Sequence, residues 1–591
     1  MTNRKTNITA VILLLIMFLL AIFSIKDDTF TFDETAHVVA GYSYLTQKDM
    51  RLNPEHPPLI KDLAAIPLLF LKLNFPKNHD CWVQKEPAPW WSQFDCGFEF
   101  LYKSGNNPDQ ILFWSKLPMI LLMIFLGWFL FKVAKELFGN RTALLTLFFF
   151  SFSPTFLAHG RLVTTDVGAA TGAFISLYYF VRFLKESSRK NLIYSGISLG
   201  IAQLIKFSLF MLYPIFLILI FFWAIAKVSN VKSFFKTFGV YLLKFILIGI
   251  ISLLVIYPVY QYHVWNYPPE TQARDIANSL SSHPIKFLPK ILAPMAKIPV
   301  VRAFAQYFLG VSMVFQRAQG GNTTFFLGEI SASGWYRYFP IVYLIKEPLA
   351  FHIFSAISFL YLSLLIEISF WKNIAYNSLN WLRSHFVEFS MLTFMAVYWT
   401  FSIVSPLNIG VRHLLPVFPF TILLVSEVIN IWLKPPLLRV KYLIFGVLIL
   451  WQVMTVIKVY PSFLAYFNEL AGGPDGGYRY TVDSNLDWGQ DLKRLKKWLE
   501  DNKIEKIYLD YFGGGNANYY IKEKFAPWWG SRDPKELPKG SYLAVSASLL
   551  QGGRGEPVKG FDQPCCYYRW LYNYEPPVAK IGYSIFIYHI K

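Results

Sequence analysis

Apolar runs long enough to cross a bilayer recur through most of the chain, separated by short polar breaks. They fall near 8–25, 111–131, 142–159, 167–183, 191–208, 209–226, 238–259, 348–370, 388–405, 412–433 and 442–459. A helix rises about 1.5 Å per residue, so some 20 apolar residues span the hydrocarbon layer. The pattern therefore predicts an α-helical polytopic membrane protein with about eleven transmembrane helices. The division within 191–226 is the least distinct of the breaks.

Three stretches do not read as spans: 26–110, 260–347 and the tail from Tyr460. The chain thus divides into a membrane domain, 1–460, and a C-terminal α/β domain, 461–591. In the tail, Asp487 followed by Gln490 fits a capping box, and Leu492, Leu495, Trp498 and Leu499 then form one face of a helix ending near Asn502. Runs at 504–512, 541–548 and 579–590 have strand composition. The loop 260–347, rich in proline and aromatics, is expected to hold interfacial helices.

Charge fixes a predicted orientation. The 56 lysines and arginines exceed the 37 acids, giving a net charge of +19. In a soluble chain that would suggest nucleic acid. In a chain that is 54% hydrophobic the cations instead lie between spans and set topology, so no nucleic-acid partner is expected. With the N-terminus inside, Arg4 and Lys5, the 132–141, 182–190 and 227–236 clusters, Lys372 with Arg383, and the 434–441 cluster all fall inside. The uncleaved first span then acts as a signal anchor, and the 26–110 and 260–347 loops and the tail lie outside. Arg161, Lys206 and Arg412 are the exceptions at the outer face.

The richest chemistry lies in Thr31–Lys61. Thr31 and Glu34 fit a capping box opening a helix, on which Asp33 and His37 share a face. Asn53-Pro54-Glu55-His56-Pro57-Pro58 cannot be helical and holds Glu55 and His56 on stiff extended backbone, with Lys61 following as a cation. Asp166 follows Gly160-Arg161 in the next outer turn. Lys206 interrupts an apolar run, and Arg412-His413 open the tenth span. Each has a plainer reading: a cap for Glu34 or Asp166, snorkelling for Lys206 and Arg412. Taken together, outer-face cations at headgroup depth suit a lipid phosphate, and a nearby carboxylate suits deprotonation of a hydroxyl. Neither G-x-x-x-x-G-K-[ST] nor G-x-G-x-x-G occurs, so a nucleotide is not the expected fuel. Cys81 and Cys96 lie in one loop and can pair; Cys565-Cys566 is vicinal, and no zinc spacing occurs.

Asp33-Glu34, Glu55-His56-Pro57-Pro58 with Lys61, and Asp166 resemble the motifs of GT-C glycosyltransferases of family 39, which include the protein O-mannosyltransferases and the lipid A aminoarabinose transferase. Further stretches, 334–340, 408–416, 466–474 and 483–491, resemble a bacterial subgroup. The resemblance implies an inverting enzyme of the bacterial cytoplasmic membrane, using a polyprenyl-phosphate sugar donor and a lipid, glycan or protein acceptor. It implies Asp33 as the catalytic base, Glu55 and His56 at the active site as candidate ligands of a divalent metal, and Lys61, Lys206 and Arg412 as candidates for the lipid phosphate. From the residues themselves, Glu34 and Asp166 join Asp33 as expected catalytic residues, and His37, Arg161 and His413 join Glu55, His56, Lys61, Lys206 and Arg412 as expected substrate-binding residues. The 260–347 loop is too short for the β-trefoil that the O-mannosyltransferases carry there. The rival reading is a transporter or flippase of a lipid-linked saccharide, which would place ionisable groups at mid-membrane.

Overall fold

A computed structural model describes residues 2–84, 90–228, 230–365 and 374–591. Among these residues, eight helices are long and apolar enough to cross a membrane: Asn3–Ser24, Pro108–Phe138, Asp166–Lys185, Phe207–Lys227, Val231–His263, Phe386–Val404, Val411–Trp432 and Leu438–Val459. The remaining three expected spans are helical but altered. Residues 142–159 form Asn140–Ser151 and Pro154–His159, broken where Ser153 caps the second helix and Pro154 takes its first position. Residues 191–208 become Arg189–Ile205, which ends at an extended Lys206. The eighth expected span is preceded by Tyr338–Lys346 and begins as Leu349–Leu365, the two bent by 111° across Pro348. Its last residues and Lys372 lie outside the described residues.

The two long loops gather at one end of the bundle. Phe32–Gln47 lies almost wholly buried against Leu59–Ala65 and Ser92–Phe98. Gly41 permits the first of these contacts, because a Cβ there would strike the Lys61 carbonyl. Cys81 and Cys96 are disulfide-bonded, and so are Cys565 and Cys566. The later loop forms Pro269–Ser279, Leu288–Met295 and Arg302–Gly320. It continues into a hairpin, Thr324–Phe326 with Glu329–Ser331, which pairs in parallel with Glu556–Pro557 of the tail.

The tail folds around a five-stranded sheet in the order Phe525–Pro527, Ile507–Asp510, Tyr542–Ser546, Ile585–His589, Ala579–Ile581. The first three strands are parallel and the last two pairings antiparallel. Side-chain alternation separates two cores. Ile507, Leu509, Ala544 and Ile587 face the helix Leu492–Asp501, while Leu543, Val545, Phe586 and Tyr588 face Trp528 and Leu571. Two expectations are corrected. Asp487 and Gln490 do not cap that helix: Asp487 Oδ2 accepts from Ser548 N, and Gln490 Oε1 accepts from Trp488 N. The run 579–590 is two strands, because Tyr583 turns the chain at positive φ.

Candidate functional site

Asp33 owes its position to two elements distant in sequence. Within its own helix, Glu34 Oε2 accepts the Thr31 N–H at 2.8 Å, forming the acidic half of the expected capping box. From the tail, residues 488–490 run beside the segment before the helix. Phe32 N donates to Trp488 O at 3.0 Å, Thr29 N to Gln490 O at 2.9 Å, and the Thr29 hydroxyl to Gly489 O at 2.8 Å. The first turn is thereby fixed at both ends, and Asp33 and His37 project together into a cavity of about 950 Å³.

Asp166 enters the same cavity as the first residue of Asp166–Lys185, where a carboxylate complements the helix dipole. The N-cap itself is Thr165. Asp166 Oδ1 takes the Lys206 ammonium at 2.6 Å. Arg412 Nη1 stands 3.4 Å from Asp166 Oδ2 and 3.4 Å from Asp33 Oδ2, bridging the two acids. The Arg412 side chain is held from behind: Nε donates to Ser484 Oγ at 3.1 Å, and the guanidinium lies over the Trp488 ring, 4.2 Å from its centroid. Gly410, at φ +146, lets the chain pass Ser484 where any Cβ would collide.

His37, Glu55, His56 and His413 also line this cavity. His37 Nδ1 is 2.7 Å from the Val163 carbonyl, and burial pushes its pKa down to about 4. The ring is therefore neutral near pH 7, protonated on Nδ1, with Nε2 left as an acceptor. Burial likewise lowers His56 and raises Glu55, whose carboxylate accepts from Trp90 Nε1.

Three expected site residues lie outside the cavity. Glu34 is fully buried; Oε1 accepts from Val163 N at 2.8 Å, and the carboxylate faces Lys116 at 3.4 Å. Arg161 is buried against Asp28 at 2.7 Å, within a network that includes Lys116 and Arg494. Lys61 is buried and donates to Tyr44 OH, to the Asn53 and His56 carbonyls and to Asn53 Oδ1, with burial lowering its pKa to about 7. These three hold the walls in shape and do not face the cavity.

Conversely, Asp483, Arg317, Trp90 and Trp488 line the cavity without having been expected as site residues. Asp483 sits in a tail stretch singled out only by resemblance. Arg317 is an isolated cation on an amphipathic helix, and nothing in its sequence neighbourhood distinguishes it. Burial raises the Asp483 pKa to about 6, with Arg412 opposing.

The candidate metal pair fares poorly. Among the described residues, no three His, Cys, Asp or Glu side chains converge as a metal would require. The Glu55 carboxylate is engaged by Trp90, and the His37 and His56 rings meet edge-on, 5.1 Å apart. The donor set does not fit a metal ion.

Residues 109–260 match the family model of dolichyl-phosphate-mannose-protein mannosyltransferase. The resemblance to GT-C glycosyltransferases that the motifs suggested is borne out; the bacterial subgroup is not tested by it. The matched segment, about a quarter of the chain, includes Arg161, Asp166 and Lys206 but neither Asp33 nor Arg412. No curated protein matches the chain. Among solved structures, ArnT from Cupriavidus metallidurans bound to undecaprenyl phosphate is 11% identical, with TM-score 0.47, covering 100% of this chain and 98% of that one. The apo oligosaccharyltransferase of Archaeoglobus fulgidus is 12% identical, with TM-score 0.49, over 94% of this chain and 72% of that one.

Proposed function

We propose that the chain is an inverting glycosyltransferase that moves a sugar from a polyprenyl-phosphate carrier to an acceptor hydroxyl at the outer face of the bacterial cytoplasmic membrane. The observation that carries this reading is the bridge Asp33–Arg412–Asp166–Lys206 inside one cavity. Two carboxylates and two cations provide a base and a phosphate clamp in one place. The matched family is named for dolichyl-phosphate-mannose, a lipid-phosphate sugar. The cavity wall also includes Phe210, Met211, Phe315, Phe401 and Val404, an apolar flank suited to a prenyl chain.

In this mechanism Asp33 accepts the proton of the acceptor hydroxyl. Its oxygen attacks the anomeric carbon from the face opposite the phosphate. The carbon–oxygen bond to phosphate breaks, and its electron pair leaves with the polyprenyl phosphate. Arg412 and Lys206 stabilise the growing phosphate charge, so a general acid is not required. Asp166 holds both cations in place before the donor arrives. The acids gather at one end of the bundle, which favours an enzyme over the flippase alternative.

The test is Asp33→Asn in the purified full-length chain with a labelled polyprenyl-phosphate sugar. Loss of transfer by about 10²–10⁴-fold, with folding and donor binding retained, is expected. Undiminished transfer refutes the base assignment, and donor binding without turnover in the parent protein supports the transporter.

A further inference from the structure

Beside the main cavity lies a second recess of about 370 Å³, within the size range of small-ligand sites. The two share Asn53, Glu55, His56, Trp90, Val314 and Arg317, which form a partition between them. One end of the partition is stiff: Trp90 Nε1 donates to both Glu55 oxygens, at 3.1 and 2.8 Å, and Gln93 Nε2 reaches Oε1 at 3.4 Å. The far wall comes from two helices of the later loop, Pro269–Ser279 and Arg302–Gly320.

The chemistry of this recess differs from that of the cavity. Beside the charged Arg51, Glu55, Asp275 and Arg317, it carries a set of neutral amides and hydroxyls that includes Gln93, Asn278, Ser279, Gln306 and Gln316. Among the described residues, the side chains of Asn278, Ser279 and Arg317 make no hydrogen bond or ion pair, although each lines the recess. Such groups offer donors and acceptors in pairs, which sugar hydroxyls require, and Trp90 offers an aromatic wall. Among the described residues the lining includes no strand, so an extended peptide would find no edge there to pair with. Among the described residues lining it, Arg51 pairs with Asp49 while Arg317 has no ion pair and lies 6.0 Å from the Trp90 ring centroid, a weak clamp for a phosphorylated ligand.

We propose that this recess seats the saccharide portion of the acceptor, which passes one hydroxyl over the Glu55–Trp90 partition toward Asp33. The inference rests on the glycosyltransferase reading and adds the acceptor class to it. Glu55, facing both spaces, is then a positioning residue for the incoming hydroxyl.

The test uses the full-length chain in a detergent without a sugar headgroup. Saturation-transfer NMR is recorded with mannobiose, chitobiose and maltose, and undecaprenyl phosphate binding is measured on the same samples. At least one disaccharide should bind the parent. Asn278→Trp, which fills the recess without bordering the main cavity, should abolish that signal. Asn278→Ala should weaken it by about tenfold, the worth of one polar contact. Both variants should bind undecaprenyl phosphate as the parent does. Absence of binding for all three disaccharides, binding unchanged in Asn278→Trp, or displacement of the sugar by a serine-rich peptide overturns the proposal. Disaccharide binding in a protein that fails to bind undecaprenyl phosphate removes the donor reading and leaves the saccharide site standing.

Discussion

Trp488 supports Arg412: the indole of the tail lies under the guanidinium that bridges the two acids, 4.2 Å from ring centroid to guanidinium carbon. The membrane bundle supplies the cation, and the C-terminal domain supplies the surface on which it rests. Trp488 is among the largest fully buried side chains, so its face cannot swing away without opening the seam.

Trp488→Leu should therefore impair the site more than the fold. A desolvated cation–π contact is worth about 2 kcal/mol, so affinity for undecaprenyl phosphate should fall by roughly tenfold or more. Trp488→Phe should recover part of the loss. Titration of both variants with the lipid phosphate checks this; equal affinity in Trp488→Leu and the parent would show that Arg412 needs no support.

Donor affinity should depend on pH through Asp483. Its pKa is raised from 3.8 to about 6, first by burial, so it is neutral at pH 5 and ionised at pH 7. Ionisation places a new negative charge in the cavity that holds Asp33 and Asp166, where it competes for Arg412. Binding of a lipid phosphodiester, whose own charge is constant over this range, should weaken as pH rises through about 6. Asp483→Asn should flatten the profile. Linkage gives stability the same sign: a raised native pKa means that the Asp483 contribution is full below 3.8 and is lost as pH climbs to about 6.

Glu34 should behave as a structural acid. Its carboxylate joins Thr31 N, Val163 N and Lys116 in a fully buried group. Glu34→Ala should cost about 3–5 kcal/mol, the range seen when one partner of a buried pair is removed. Glu34→Leu combined with Lys116→Met should recover only part of it, because the ammonium that faced Glu34 is removed while the Thr31 and Val163 N–H groups stay unpaired. Thermal unfolding of the three proteins decides; a Glu34→Ala protein as stable as the parent would contradict the assignment.

Cys81→Ser should destabilise the first loop by about 3 kcal/mol, the chain-entropy value for a closed loop of some 15 residues. The effect should be read as earlier loss of structure under denaturant.

Much of the scaffold was legible because bilayer spans are long and nearly all apolar. The eleven runs all became helices over their described residues, and three departed from single straight spans for local reasons: Pro154, the extended Lys206 and Pro348. The site was only partly legible. Asp33 and His37, four residues apart, were readable from helix periodicity, and Glu55-His56 from its prolines. Glu34, Lys61 and Arg161 have the same composition signals as their neighbours, yet they point into walls. Trp488 and Asp483 lay in a stretch marked only by resemblance, and their place in the site was out of reach, since contacts across hundreds of residues leave no local period.

The sequence by itself determined the membrane scaffold, the helix bearing Asp33 and three β-rich runs of the tail, because each depends on neighbours within a few turns. Only the tertiary structure decided which charged groups meet. Asp33, Asp166, Lys206 and Arg412 come from four separate segments. They converge because the tail pairs its backbone with the approach to the first loop helix, and that pairing depends on packing that no single segment encodes.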